Sequence, residues 1–343
     1  MHKERNIYVS SIKLISASFV VFGHVHFQGN LGRAMDCLAR FTVPLFFVIS
    51  GYYSYQKDAA TIKRRLRKIT LLALFSNALY LLYNLFPKVL IHREEIEEYI
   101  RNILDVKTIA LFLFTGKNPF SFHLWYLSAM ILVYITFLLV AKFFGGSGKD
   151  VRYREIYIIA ACAFMFQIVF GVKAQSVGMK IDYIVYRYFL FYGFPCFTYG
   201  LFLHEYGERI VDRYSFTCGK ACIMITAGIA LSLIQWFGIG KVEVPLGMLL
   251  VVTSLALLAF VKPGPRYSRN RVFIGMEIVS TVVFIIHPLV NSIISVLINK
   301  AGLLAWRESN ESLFPLIVLG VSIIIGVVAS ASLTVLRKCV NRS

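Results

Sequence analysis

The segment that decides the fold is residues 122–141, FHLWYLSAMILVYITFLLVA, an apolar run without Asp, Glu, Lys or Arg. An α-helix of about 20 such residues crosses the hydrocarbon core of a bilayer. A strand of a membrane barrel would instead alternate apolar and polar residues over about 10 positions. Residues 122–141 therefore predict a membrane-spanning helix.

Apolar runs of the same kind recur along the whole chain, with charged or turn-forming segments between them. We predict about ten spans, each near the length that a bilayer requires. They lie near residues 12–28, 38–56, 69–91, 122–141, 155–172, 184–204, 219–238, 244–261, 272–298 and 313–336. The pattern predicts an all-α integral membrane protein in which residues 1–343 form a single multi-pass domain.

The composition supports a membrane protein and argues against a nucleic-acid-binding one. Hydrophobic residues make up 58% of the chain and charged residues 16%, compared with about 25% charged residues in soluble domains. The net charge of +18 is not concentrated in one domain, because Lys and Arg lie in short clusters between apolar runs. The six cysteines form no C-x-x-C pair, so we predict neither a disulfide framework nor a metal site.

The orientation follows from the distribution of Lys and Arg, which are more frequent in cytoplasmic loops. Placing the N-terminus in the cytoplasm assigns the more basic loops to that side, so we predict that both termini are cytoplasmic and that the protein lies in the cell (inner) membrane. The longest outer loop, 92–121, places Ile96, Ile100 and Leu104 on one face of a helix. This pattern predicts an interfacial amphipathic helix.

Three ionisable residues lie in the first predicted span, where charge is costly and usually functional: Lys13, His24 and His26. Lys13 and His24 are eleven residues apart, so at about 100° per residue they share one helix face, about 16 Å apart. His26 points about 200° away from His24. We therefore take His24 as the candidate catalytic residue. The alternative is that Lys13 extends to the headgroups and His24 only bonds a neighbouring helix.

Five short elements occur in a fixed order, and together they resemble a known family. They are Lys13-x10-His24 in the first span, FTVPLFFVISGY at 41–52, Arg64-x-x-Arg67 in a basic loop, His123-Leu-Trp125-Tyr126 at the start of the fourth span, and His287-Pro288 in the ninth. This set resembles the bacterial membrane acyltransferase family 3, the multi-pass O-acyltransferases of surface polysaccharides. The resemblance covers essentially the whole chain.

The resemblance implies a donor and an acceptor. The donor would be cytoplasmic acyl-CoA, most simply acetyl-CoA, with no permanently bound cofactor, and the acceptor a hydroxyl of a cell-surface glycan or lipid-linked saccharide. Arg64 and Arg67 would bind the phosphates of CoA, with Lys13 contacting the donor deeper in the bundle. The alternative is that the basic cluster only anchors the protein. His24 would act as a general base or carry the acyl group transiently, and both routes stay open.

Several further residues are candidates for contacting the acceptor or the oxyanion of the tetrahedral intermediate. They are Ser50, Tyr52, His123, Trp125, Tyr126 and His287. Alternative roles are an aromatic belt for Trp125 and Tyr126 and, for His287, a hydrogen bond to the backbone carbonyl that Pro288 leaves unpaired.

Two carboxylates and two rival functions complete the predictions. Asp36 is placed to orient His24. Glu277 is placed to pair with a basic residue, for which Lys13 is the candidate.

The rival functions are a transporter or flippase of a polar solute and an acyltransferase that acts on an amine.

Overall fold

The computed structural model describes residues 5–90, 93–146, 150–176, 188–238, 240, 245–261, 266–267 and 271–340. Helices dominate this part of the chain. In chain order they are α1 (Ile7–His24), α2 (Gly29–Leu38), α3 (Thr42–Tyr52), α4 (Ala59–Leu90), α5 (Glu95–Leu104), α6 (Val106–Thr115), α7 (Trp125–Phe143), α8 (Tyr153–Ser176), α9 (Gly193–Arg213), α10 (Cys218–Gly238), α11 (Leu246–Ala256), α12 (Arg271–Lys300), α13 (Leu304–Ser309) and α14 (Phe314–Val340). The short pair β1 (Arg5–Asn6) and β2 (Arg266–Tyr267) is antiparallel.

Eight helical segments within the described residues are long and apolar enough to cross a membrane. They are Ile7–His24, Gly29–Tyr52, Ala59–Val89, Phe122–Phe143, Tyr153–Phe170, Cys218–Gly238, Ile274–Lys300 and Phe314–Leu336. Each coincides with one of the predicted spans, which confirms a helical, multi-pass membrane protein. The count of ten and the orientation of the termini stay predictions.

The two remaining predicted spans, 184–204 and 244–261, correspond to less typical helices. Residues 184–187 lie outside the described part of the chain, and α9 continues past His204 into a charged stretch that ends at Arg213. The apolar helix Leu246–Phe260 is shorter than the other spans and includes a π-helical turn from Leu257. Hydropathy alone therefore located both segments without defining how they meet the membrane.

Helix α4, which contains the third predicted span, begins earlier than its apolar run. This corrects the prediction that Arg64 and Arg67 lie in a basic loop. Asp58 caps α4, because its Oδ1 accepts the backbone N–H of Thr61 at 3.3 Å. The Thr61 hydroxyl also lowers the pKa of Asp58. The helix therefore begins at Ala59 and carries Arg64 and Arg67 in its first turns.

The chain divides into two units that each have their own core, and we describe each by itself. The first unit comprises Met1–Phe46 and Tyr206–Ser343. Its helices α1, α12 and α14 share a core that includes Val21 and Val283. Helices α10 and α11 meet without intervening side chains, since a Cβ on Gly247 would lie 2.0 Å from the carbonyl oxygen of Gly228.

The second unit comprises Phe47–Glu205. Within it, helices α3 and α9 cross in close contact at two glycines. A Cβ on Gly51 of α3 would lie 1.8 Å from the carbonyl oxygen of Phe197 on α9. A Cβ on Gly200 would lie 2.1 Å from the carbonyl oxygen of Val48. The backbones of α3 and α9 are therefore in direct contact, which only glycine allows at these positions.

The predicted amphipathic helix of the outer loop forms as α5, with Ile100 and Leu104 exposed on its surface. Helix α6 follows directly, because the side chain of Asp105 accepts the backbone N–H of Thr108 at 3.0 Å. Both helices have only 10 residues, so neither is long enough to cross a bilayer. Their position at the membrane interface stays a prediction.

Candidate functional site

Lys13 and Glu277 form an ion pair inside the first unit. The Nζ of Lys13 on α1 lies 3.8 Å from Oε1 of Glu277 on α12, and the two side chains are 27% and 31% exposed. This contact confirms the expected pairing. A charge within a membrane helix bundle is costly unless a partner compensates it, and each residue supplies the other with such a partner.

His24 and His287 lie side by side in the first unit. Their ring centroids are 5.2 Å apart and the ring planes differ by 38°. His24 is half-buried at the C-terminal end of α1, and His287 is fully buried on α12. The packing of α1 on α12 therefore brings together two imidazoles that the sequence had placed in separate spans.

The backbone fixes the orientation of the His287 ring. Its Nδ1 lies 3.0 Å from the carbonyl oxygen of Phe284 and 3.1 Å from that of Val283. Pro288 has no N–H, so the carbonyl of Phe284 loses its usual helical partner. The Nδ1–H group donates in its place, which confirms the structural role expected for His287. Because carbonyls only accept, Nδ1 carries the proton, and Nε2 of the neutral ring presents a lone pair.

Asp36 contacts a different histidine from the one expected. Its Oδ1 lies 2.8 Å from Nδ1 of His26, whose side chain is 58% exposed. Helix α1 ends at His24 and α2 begins at Gly29, so His26 lies in the turn between the two helices and meets Asp36 of α2. The turn, rather than the helix face, decides this contact, and an orienting role of Asp36 toward His24 stays a prediction.

A cluster of hydroxyl groups lies inside the second unit. Ser50 hydrogen-bonds with the phenol groups of Tyr126 and Tyr134. Ser54 donates to the carbonyl oxygen of Ser50 at 2.7 Å and accepts from Nη1 of Arg65 at 2.9 Å. The fold thus joins two of the predicted oxyanion candidates, Ser50 and Tyr126, in one hydrogen-bonded network.

The three arginines at the start of α4 do not share one environment. Arg64 and Arg67 are exposed, and Arg64 donates to the hydroxyl of Thr61 at 2.9 Å. Arg65 instead turns into the second unit, where it contacts Ser54 and Tyr134. The resemblance to the family matched only the spacing of Arg64 and Arg67, so it did not distinguish Arg65 from the rest of the basic cluster.

Helical periodicity would have found Arg65 if the start of α4 had been recognised. The inward face of α4 carries the buried residues Ile62, Ala73, Ser76 and Tyr80. Arg65 follows Ile62 by three positions and falls on the same face. The apolar run begins only after the basic cluster, so a boundary drawn from hydropathy placed Arg65 in a loop.

The remaining predicted residues lie at other places in the second unit. The ring of Tyr52 lies 4.7 Å from the ring of His204. His123 is buried, and its Nδ1 lies 2.8 Å from the hydroxyl of Ser121. Trp125 is also buried, at 8% exposure. Contacts of these residues with a substrate stay predictions.

These observations define a multi-pass helical membrane protein with paired ionisable groups and hydroxyl groups inside its helix units. A family model described as an acyltransferase domain matches residues 6–334. The chain therefore belongs to membrane acyltransferase family 3 and is an acyltransferase. This membership favours the enzyme over the transporter. No curated protein and no solved structure matches the chain.

Proposed function

We propose that the enzyme transfers an acyl group, most simply acetyl, from cytoplasmic acyl-CoA to a hydroxyl of a cell-surface glycan or lipid-linked saccharide. Membership in the acyltransferase family supports the reaction class. The observation that carries the mechanism is the contact of His24 with His287. Transfer to a hydroxyl needs a base that accepts a proton near neutral pH, and imidazole is the side chain best suited to this task.

In the direct route, His24 takes the proton of the acceptor hydroxyl while its oxygen attacks the thioester carbonyl carbon. The tetrahedral intermediate then collapses, the carbon–sulfur bond breaks, and CoA leaves with a proton as the free thiol. In the two-step route, a ring nitrogen of His24 attacks the thioester carbon first, the carbon–sulfur bond breaks, and CoA takes the ring proton and leaves as the thiol. The acceptor hydroxyl then attacks the acyl-imidazole, the carbon–nitrogen bond breaks, and the hydroxyl proton passes to the released ring. Both routes give the same ester and the same thiol.

His287 supports His24 in either route. A charged His287 would repel a His24 that has just taken up a proton, so the mechanism favours a neutral ring at His287. The bond from its Nδ1 to Phe284 holds the ring in place and directs the lone pair to Nε2. His287 thus acts as a positioning residue beside the base.

The donor would meet the basic residues of α4. Arg64 and Arg67 are exposed, and guanidinium groups bind phosphate through pairs of charge-assisted hydrogen bonds. Lys13 would share its charge between the donor and Glu277, with which it is already paired. Ser50 and Tyr126 stay candidates for contacting the acceptor or the oxyanion, because each hydroxyl can donate one hydrogen bond.

The test is release of free CoA thiol by the full-length protein in lipid nanodiscs, supplied with acetyl-CoA and isolated surface glycan. We expect thiol release that depends on the glycan and that falls by about 10²- to 10⁴-fold in His24→Ala. Mass spectrometry should show the acyl ester on the glycan. Full activity in a well-folded His24→Ala protein would remove His24 from the mechanism.

His26→Ala is the matched control for this experiment. His26 lies two positions after His24, but it is exposed and pairs with Asp36. Replacing His26 should leave thiol release within about twofold of the parent, because His26 lies after the end of α1 and pairs with Asp36. Equal losses in both variants would show that the end of α1 had been disturbed rather than the base removed.

A further inference from the structure

The second unit contains a row of roughly parallel rings, formed by His204, Tyr55, Tyr153 and Tyr157, which we call the ring ladder. The centroid of Tyr55 lies 4.9 Å from that of His204, with 27° between the planes, and 4.7 Å from that of Tyr153, with 39°. Tyr153 and Tyr157 continue the row at 6.2 Å and 28°. These are offset stacking distances.

Hydrogen bonds hold the ring ladder in place before any ligand binds. The hydroxyl of Tyr153 accepts the backbone N–H of Gln56 at 2.9 Å, and Tyr157 donates to Glu205 at 2.6 Å. The backbone of Gln56 has a φ of 52°, a conformation that residues other than glycine seldom adopt. Such strain persists only where the surroundings enforce it, and it often marks a functional segment.

The ring ladder is exposed at its His204 end. Tyr153 is buried, whereas Tyr55 is half-buried and His204 is exposed. Tyr53 is also exposed, at 37%, and it packs on Tyr52, whose ring contacts His204. A set of rings that served only as core packing would not leave an imidazole and a phenol at the surface.

Exposed cationic side chains follow Tyr55 closely in the sequence. Lys57 follows Tyr55 by two positions and is exposed, and Arg64 is exposed on the first turns of α4. Arg65 donates to the hydroxyl of Ser54, the residue before Tyr55, so the start of α4 contacts the segment that carries Tyr55. Planar rings beside several cations suit a ligand that combines a nucleobase with phosphates.

We propose that the exposed end of the ring ladder, formed by His204 and Tyr55, stacks the adenine ring of the acyl-CoA donor, while Lys57 and Arg64 bind its phosphates. This inference rests on the proposed function and on the predicted cytoplasmic position of these residues. Adenine presents a π-face that stacks on aromatic side chains without regard to its hydrogen-bonding edge. The nucleotide would thus anchor the donor while the flexible pantetheine arm carries the thioester.

The test compares two donors that differ only in the nucleotide: acetyl-CoA and acetyl-pantetheine, which lacks the adenosine phosphates. In His204→Ala we expect the KM for acetyl-CoA to rise about tenfold, since loss of one stacking ring commonly costs that much. The kcat/KM for acetyl-pantetheine should stay unchanged. His204→Phe retains a ring and should restore the KM for acetyl-CoA.

Tyr214→Ala is the control, because Tyr214 is an exposed aromatic residue that follows α9. It should leave both donors unaffected. Equal losses for both donors in His204→Ala, or failure of His204→Phe to restore the KM, would overturn the adenine site. If His204→Ala does not fold, His204→Gln removes the ring with a smaller change in polarity and decides the same question.

A binding measurement separates this proposal from the proposed function. Adenosine 3′,5′-bisphosphate should bind to the full-length protein in nanodiscs, and His204→Ala should weaken this binding about tenfold. If the parent protein released no thiol from either donor, the proposed function would be refuted. Binding of the bisphosphate that depends on His204 would still support the nucleotide site in that case. Binding that is equal in the parent and in His204→Ala would refute the site.

Discussion

Replacement of Gly51 by alanine tests whether the crossing of α3 and α9 determines the second unit. The added Cβ would lie 1.8 Å from the carbonyl oxygen of Phe197. Carbon–oxygen contacts between packed backbones are about 3.3–3.6 Å, so the two helices would have to separate by about 1.5 Å. Because the obstacle is a backbone carbonyl rather than a flexible side chain, no rotamer change can relieve it.

We expect Gly51→Ala to destabilise the protein by about 1–3 kcal/mol, the usual cost of forcing additional volume into a packed interior. This corresponds to a fall in Tm of about 2–12 °C for a unit of this size. The measurement is thermal unfolding of the full-length protein in detergent, followed by the exposure of buried cysteine thiols. Cys196 is a suitable reporter because it is buried on α9.

Gly320→Ala is the matched control on α14, where an added Cβ would meet no atom within 4 Å. The same exchange there should leave the Tm unchanged or raise it slightly, because alanine favours a helix over glycine by about 1 kcal/mol. Equal melting temperatures for Gly51→Ala and the parent protein would refute the close crossing of α3 and α9.

Three further predictions follow from the pairs and caps. Lys13→Met or Glu277→Gln alone should destabilise the protein more than the two exchanges together, because each single variant leaves one charge uncompensated. Thermal unfolding measures this difference, and additive losses would argue against the pair. Arg67→Ala should raise the KM for acyl-CoA without lowering the Tm, whereas Arg65→Ala should lower the Tm; the reverse result would exchange their assigned roles. The folded protein lowers the pKa of Asp58. At pH values above the ordinary carboxyl pKa of about 3.9, the ionised cap should therefore stabilise α4 fully, and this stabilisation should be lost as the pH falls through the lower folded pKa. Asp58→Asn should remove this acid sensitivity from thermal unfolding.

The membrane helices could be predicted wherever the apolar run and the helix have the same ends. They differ in α4 and α9, because hydropathy reports contact with lipid whereas a helix continues as far as its backbone hydrogen bonds do. The cap at Asp58 extends α4 backward through its arginines, and α9 continues beyond His204 into charged residues. The extension of α4 carries Arg64, which the proposed donor site uses.

The local parts of the candidate site were predictable, and the parts that depend on tertiary contacts were not. The bond of His287 to the carbonyl of Phe284 follows from the position of Pro288 alone. The pairing of Lys13 with Glu277 follows from the scarcity of charge within spans. The contact of His24 with His287, in contrast, depends on how α1 packs on α12, and no spacing along the chain encodes that distance.

The anchoring of His287 limits how protons can move through the first unit. A histidine relays protons when one ring nitrogen accepts a proton and the other releases one. The Nδ1 of His287 faces the carbonyl oxygens of Val283 and Phe284, which have no proton to exchange and no basic site to receive one. A proton that reaches Nε2 must therefore leave from Nε2, so His287 cannot conduct a proton onward from His24.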